Sequence, residues 1–190
     1  MTEMTGILRK MKATLDSPVV YELIFSDNKI VLNDYLDRSV SLDFTGNIFC
    51  IQCGRKTNKS FQQGYCFPCL RRLQECDLCM LHPERCHVEE GTCPKDDWAH
   101  AQCYQKHIVY LANSSALKVG ITRHIHFLTL WIDQGAVQAL PIFTASNRYQ
   151  SGVMEVALKK YVSDKTNWRT MLKENAKPLD LFEERDKLLD

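Results

Sequence analysis

Long apolar runs are missing from this chain of 190 residues. No stretch approaches the roughly 20 residues that a bilayer-spanning helix needs, so a membrane helix is excluded and no membrane partner is expected. A secretion signal is missing too. Met1 to Lys12 mixes Glu3, Arg9, Lys10 and Lys12 with few apolar residues and reads as neither leader nor anchor. Neither sign of charge dominates: 24 Lys and Arg stand against 23 Asp and Glu, for a formal net charge of +1. Any affinity for nucleic acid must therefore come from local patches. Cysteine is absent from residues 1–49 and 104–190; all 9 lie between Cys50 and Cys103. The expected compartment is the cytoplasm, where thiols stay reduced and clustered cysteines bind metal rather than pair as disulfides.

That cysteine block organises the chain. Cys50-x-x-Cys53, a gap of twelve residues, then Cys66-x-x-Cys69 is the spacing of two knuckles that aim four thiolates at one point. Zn²⁺ suits such a site because it is borderline-soft, redox-inert and satisfied by four thiolates. A second site is expected from Cys76 and Cys79, completed by two of Cys86, His87, Cys93 and Cys103. Spacing alone does not choose among these; Cys93 with either Cys86 or Cys103 is favoured. Two zinc ions are thus expected. His82, His100 and His107 read as surface or strand-end residues.

The flanks read as an α+β protein. Residues 1–49 are expected to form a small antiparallel β unit. Its strand signals are Val19 to Phe25, Ile30 to Leu32 and the alternating Ser39 to Phe44, with turns at Asp27-Asn28 and Gly46-Asn47. Residues 50–106 form the cysteine-rich zinc-binding module. Residues 107–162 read as β-β-α-β-α: a hairpin across Asn113-Ser114-Ser115, a helix capped by Thr122 and ended by Gly135, a strand carrying Pro141, and a helix capped by Ser151. Pro141 implies an edge position or a bend. Residues 163–190 are trailing helices, the first capped by Asp164 or Thr166, the last by Asp180 with Glu183. This last helix runs to Asp190 without a closing signal, so a continuation is expected.

Two features carry candidate chemistry. Arg55, Lys56, Lys59, Arg71 and Arg72 surround the first knuckle pair, with Phe61, Tyr65 and Phe67 between them. Cationic side chains neutralise phosphates and flat rings stack on unpaired bases. Farther on, Glu155 is the one acid among Val153, Met154, Val156, Ala157 and Leu158. With water and phosphate, a lone carboxylate can hold Mg²⁺.

Cys50-Ile51-Gln52-Cys53-Gly54-Arg55-Lys56, Gln63-Gly64-Tyr65-Cys66, Cys76-Asp77-Leu78-Cys79, Gly91-Thr92-Cys93 and Trp131-Ile132-Asp133-Gln134-Gly135-Ala136 resemble an uncharacterised bacterial family, domain of unknown function 2797. The likeness covers most of the chain and implies no activity. Residues 107–162 are similar to GIY-YIG nuclease domains: Val109-Tyr110 and Val119-Gly120 stand where that family's two strand motifs would be, and Glu155 stands at its metal-binding glutamate. That resemblance implies Tyr110, Arg123 and Glu155 as catalytic residues, with Mg²⁺ as cofactor and Arg148 as an alternative to Arg123. The sequence departs from the family in two places. Leu117 or Lys118 stands at the second tyrosine, and the helix position expected to carry arginine is Leu128.

Three functions are consistent with these residues. The first is a zinc-binding protein that binds DNA or RNA through Arg55, Lys56, Arg71, Arg72 and Arg123. The second is a Mg²⁺-dependent phosphodiesterase. The third is a zinc-stapled protein-interaction scaffold presenting the acidic stretch from Glu84 to Asp97. The sequence identifies no particular protein partner.

Overall fold

A computed structural model describes residues 3–26, 28–93, 96–173 and 176–190; Asp27 of the expected Asp27-Asn28 turn lies outside them. The chain forms two compact units, Met1–Asp77 and Leu78–Asp190. The division falls within the cysteine-rich stretch, so Cys76 belongs to the first unit and Cys79 to the second.

In the first unit, β1 (Lys12–Thr14), β2 (Val20–Phe25) and β3 (Asn28–Val31) form an antiparallel sheet in that order. Glu22 is buried on β2 and is balanced by Lys12 at 3.6 Å and by Lys29. The strand expected at Ser39 to Phe44 does not form. Residues 39–45 have no regular structure, and Val40, Leu42 and Phe44 are exposed. Alternation makes a strand only where a partner offers backbone groups. The hairpin β4 (Ile48–Phe49) and β5 (Lys56–Thr57) and the short helix α1 (Phe67–Leu70) follow.

The second unit opens on 3₁₀ turns and α2 (Asp96–Gln102). Then come β6 (His107–Asn113), β7 (Leu117–Arg123), α3 (Phe127–Asp133), β8 (Gln138–Ala145) and α4 (Arg148–Leu158), the expected β-β-α-β-α order. The helices α5 (Trp168–Lys173) and α6 (Leu181–Leu189) trail it. The sheet is antiparallel in the order β7-β6-β8. β6 lies between two partners and all seven of its residues are buried. Its alternation splits the core. Val109 and Leu111 pack with Val119, Leu158 and Met154, while Ile108, Tyr110 and Ala112 pack with Phe127, Leu130 and Trp131. β8 is an edge strand and its register slips opposite Val109 and Tyr110, meeting both expectations raised by Pro141.

Gly135 ends α3 at φ 63°, its N–H donating to the Ile132 carbonyl at 2.9 Å. Asp180 caps α6, accepting from the N–H groups of Phe182 and Glu183 at 3.0 and 3.1 Å. Three other caps differ from expectation. Thr122 stays in β7, and a 3₁₀ turn at His124–His126 precedes α3. Asn147, not Ser151, caps α4 through the Gln150 N–H at 3.0 Å. Ser151 is buried within the helix and donates to the Arg148 carbonyl at 2.7 Å. Asn167 caps α5, because Thr166 is occupied by the buried Lys118 at 2.9 Å. Any Ser, Thr, Asp or Asn can cap; which one does depends on where the packed face of the helix begins.

α4 packs against the Pro83–Arg85 turn through Gly152, where a Cβ would lie 2.4 Å from the Glu84 nitrogen and from the Pro83 carbonyl carbon. Gly152→Ala is therefore expected to destabilise the second unit by about 1–3 kcal/mol, through forced separation of helix and turn. Chemical denaturation followed by Trp fluorescence checks this; an unchanged midpoint would refute the close packing.

Candidate metal centre

The hairpin β4–β5 supplies the first pair of thiols. Cys50 follows β4, its N–H donating to the Arg55 carbonyl at 2.9 Å while Gly54 N–H returns to the Cys50 carbonyl at 2.9 Å. Gly54 takes φ 68°, which lets the turn close tightly under Cys53. The second pair sits on α1: Cys66 precedes its first residue and Cys69 lies within it. Ile51 N–H donates to the Gly64 carbonyl at 2.9 Å and ties one knuckle to the other. Gly64, at φ 146°, lies so close to Ile51 that a Cβ would clash with its side chain.

These turns bring the sulfurs of Cys50, Cys53, Cys66 and Cys69 within 4.8 Å of one another. Cys53 Sγ and Cys66 Sγ are 3.7 Å apart, and all four are free thiols. A tetrahedral zinc with Zn–S bonds of about 2.3 Å separates its sulfurs by about 3.8 Å, so the set could hold one zinc ion. Cys50, Cys66 and Cys69 are buried with Tyr65 and Leu73 against them, while Cys53 is exposed. The thiols are the centre of this module's small core.

Electrostatics press the same way. Burial pushes the Cys50 thiol up, but the backbone N–H groups of Cys66, Cys53 and Gln52 outweigh it and hold Cys50 down at about 6. Burial, then contact with the Cys66, Cys53 and Cys50 thiols, pushes Cys69 up to about 12. One thiolate forms readily and opposes the next; a dication removes the conflict. Among the described residues, this is the one group of three or more Cys, His, Asp or Glu ligand atoms drawn so close together.

The remaining cysteines divide differently from the expected second set. Cys76 lies in the first unit, where its carbonyl accepts from Gln62 Nε2 at 3.2 Å. In the second unit Cys86 and Cys103 are buried in one small cluster with Val88. Cys79 is buried and Cys93 half-buried. His87 Nδ1 is 3.7 Å from the Glu90 carboxylate and 3.4 Å from the Thr92 hydroxyl.

Around the knuckles, the structure brings Lys59, Phe61, Phe67 and Arg71 together. The two rings lie 5.8 Å apart at 54°. Lys59 Nζ sits 5.2 Å from the Phe61 centroid and the Arg71 guanidinium 5.9 Å from that of Phe67. Phe67 is 52% exposed, beside the buried Cys66 and Cys69. Arg55, Lys56 and Arg72 are exposed.

The residues expected for catalysis are placed less favourably. Tyr110 is fully buried and donates to Gln134 Oε1 at 3.0 Å; burial pushes its hydroxyl up to about 12. Glu155 is buried on α4, 3.4 Å from Lys159, which also holds Asp164 at 3.0 Å. Burial raises the Glu155 carboxyl and Lys159 opposes this. Arg123 lies at the end of β7 and lines a cavity of about 330 Å³ with Tyr104, Gln105, Lys106, His124 and Ile125. Burial, then the nearby Arg148 charge, lowers its pKa. Among the described residues no carboxylate lies within 4.0 Å of Lys106, Arg123 or Arg148. Sequence reasoning missed Lys106 and His124 here, since only strand pairing brings the start of β6 beside the end of β7.

A protein-family profile described as "Protein of unknown function (DUF2797)" matches residues 37–190, most of the chain. No curated protein matches, and no solved structure matches.

Cys50→Ser or Cys66→Ser is expected to lower bound zinc by about one ion per chain and to unfold the knuckle module, since a structural zinc contributes on the order of 10 kcal/mol at neutral pH. Metal analysis and circular dichroism test this. Unchanged zinc content in both variants would refute the four-thiolate site.

Proposed function

We propose that this chain, which belongs to the DUF2797 family, is a zinc-stapled protein that binds single-stranded nucleic acid. The observation that carries this reading is the Lys59–Phe61–Phe67–Arg71 platform. Its exposed ring offers a face to an unpaired base, and its cations lie beside the rings where a phosphate backbone would run. The role of zinc is positional. Phe67 opens the helix that carries Cys69, so the ion that fixes Cys66 and Cys69 fixes the ring. Without metal, the platform's side chains lose that frame.

The second unit adds a basic cavity of its own, where Lys106 and Arg123 supply charge and, among the described residues, no carboxylate lies within 4.0 Å of either. Such a cavity suits phosphate. The residues that a Mg²⁺-dependent nuclease would use argue for binding rather than cutting. Tyr110 has no solvent-facing hydroxyl to activate water, and Glu155 would have to release Lys159 before ligating an ion. Among the described residues, the acidic stretch proposed for a scaffold shows no comparable stacked platform.

Phe67→Ala is expected to weaken binding to labelled single-stranded DNA or RNA by about 5- to 150-fold, the equivalent of about 1–3 kcal/mol for one stacked base. Arg71→Ala is expected to reduce the salt dependence by about one phosphate contact. Fluorescence anisotropy at several salt concentrations, with zinc content measured in parallel, separates loss of contact from loss of fold. Binding unaffected by either variant would refute the platform. Mg²⁺-dependent cutting abolished by Glu155→Gln would replace this reading with a phosphodiesterase.

A further inference from the structure

Strand pairing brings Lys106, Arg123 and His124 to one end of the second unit's sheet. His107 pairs with Arg123 across β6 and β7, and the His124 N–H donates to the Lys106 carbonyl at 2.9 Å. Lys106, Arg123 and His124 line the cavity of about 330 Å³ together with Tyr104 and Gln105. Hydrogen bonds fix the turn that forms its wall. His107 Nδ1 donates to the Gln105 carbonyl at 2.7 Å, and Gln105 Nε2 donates to the His100 carbonyl at 2.9 Å. His107 is fully buried, and its Nε2 is bare of any hydrogen-bond partner among the described residues. Burial holds that ring down at about 4, so it is neutral. The standing charge of the wall is that of Lys106 and Arg123.

These two cations share a cavity without compensation. Among the described residues no carboxylate lies within 4.0 Å of either. Burial, then the nearby Arg148 charge, works against the Arg123 guanidinium. A bound anion relieves that conflict. A phosphate monoester, with a charge of about −1.5 to −2 at neutral pH, balances two cations, whereas a phosphate within a strand carries a single charge. The exposed His124 ring adds a hydrogen-bond donor.

The cavity has room for more than phosphate, since ligand pockets begin at about 300 Å³. Another part of its wall is aromatic. The Tyr104 ring packs against the buried Cys86, Val88 and Cys103, and the His100 ring stacks with it at 4.6 Å and 24°. A ring fixed in this way gives a flat base a surface to pack on.

We propose that this cavity binds a nucleotide bearing a terminal phosphate monoester, free or at the end of a strand. Lys106 and Arg123 take the phosphate, and Tyr104 takes the base. The inference deepens the reading of the cavity as a phosphate site and does not depend on the Phe67 platform.

The test is isothermal titration calorimetry on the full, zinc-loaded chain. The probes are adenosine 5′-monophosphate, adenosine, inorganic phosphate, and short oligothymidylates ending in phosphate or in hydroxyl. Adenosine 5′-monophosphate is expected to bind more tightly than adenosine or inorganic phosphate. Lys106→Ala and Arg123→Ala are each expected to weaken it about 10- to 150-fold, the loss of a hydrogen bond between charged groups. Lys106 is exposed, so its variant reports on the site even where Arg123→Ala misfolds. Preference for the phosphate-ended strand over the hydroxyl-ended one, lost in Lys106→Ala, would assign a strand end. Binding of the free nucleotide with no such preference would assign the mononucleotide. The hydroxyl-ended strand reads the Phe67 platform separately. If that strand binds while neither the mononucleotide nor the terminal phosphate adds affinity, this inference is overturned and the platform stands. Nucleotide affinity unchanged in both variants, or no tighter than that of inorganic phosphate, would also overturn it.

Discussion

Four thiols within 4.8 Å of one another cannot all ionise unaided, and the first unit is built around that constraint. Burial, then contact with the other three thiols, opposes a second thiolate at Cys69 once backbone N–H groups have favoured one at Cys50. A dication turns this mutual repulsion into four bonds. The hairpin β4–β5, the positive φ of Gly54 and the link from Ile51 to Gly64 serve to hold the sulfurs at that spacing. The apolar residues against them are few, chiefly Tyr65 and Leu73, so a bound metal would stand in for a hydrophobic core. Phe67 opens the helix that carries Cys69, so a metal that fixed these thiols would also fix the proposed stacking ring.

The second unit is organised by a different means. β6 is bonded on both sides and buried on both faces, so its alternation serves two apolar layers at once. Hydrophobic burial fixes this sheet, and it consumes Tyr110: a ring packed edge-on to Trp131 at 5.7 Å, with its hydroxyl tied to Gln134, serves the core. Polar groups gather instead at the open end of the β6–β7 pair. There Lys106, Arg123 and His124 border a cavity, and the half-buried Arg148 and the fully buried His107 lie nearby. The strand order, rather than any local motif, makes that cluster.

Legibility tracked the range of the interaction. Gly135, Asp180 and Pro141 were readable because a left-handed residue, a side chain accepting from N–H groups two and three residues on, and a missing donor are local facts. Thr122, Ser151 and Thr166 misled because each is a good cap for a helix that begins elsewhere. Ser39 to Phe44 misled because alternation describes half of a strand pair. His107 read as a strand-end residue, which it is. Its burial and its bare ring nitrogen depend on α4 and on the turn before β6, which spacing does not encode.

The sequence by itself determined the four-cysteine cluster that could hold a metal ion. Two knuckles with a twelve-residue gap allow few geometries, and each knuckle is closed by bonds between near neighbours. It also determined the β-β-α-β-α order, because periodicity and turn residues are local. Only the tertiary structure decided which charges and thiols meet. The packing of Cys86 with Cys103 and the meeting of Arg123 with Lys106 join residues from different segments. Those meetings follow from how strands and helices pack, and packing is a property of the whole chain.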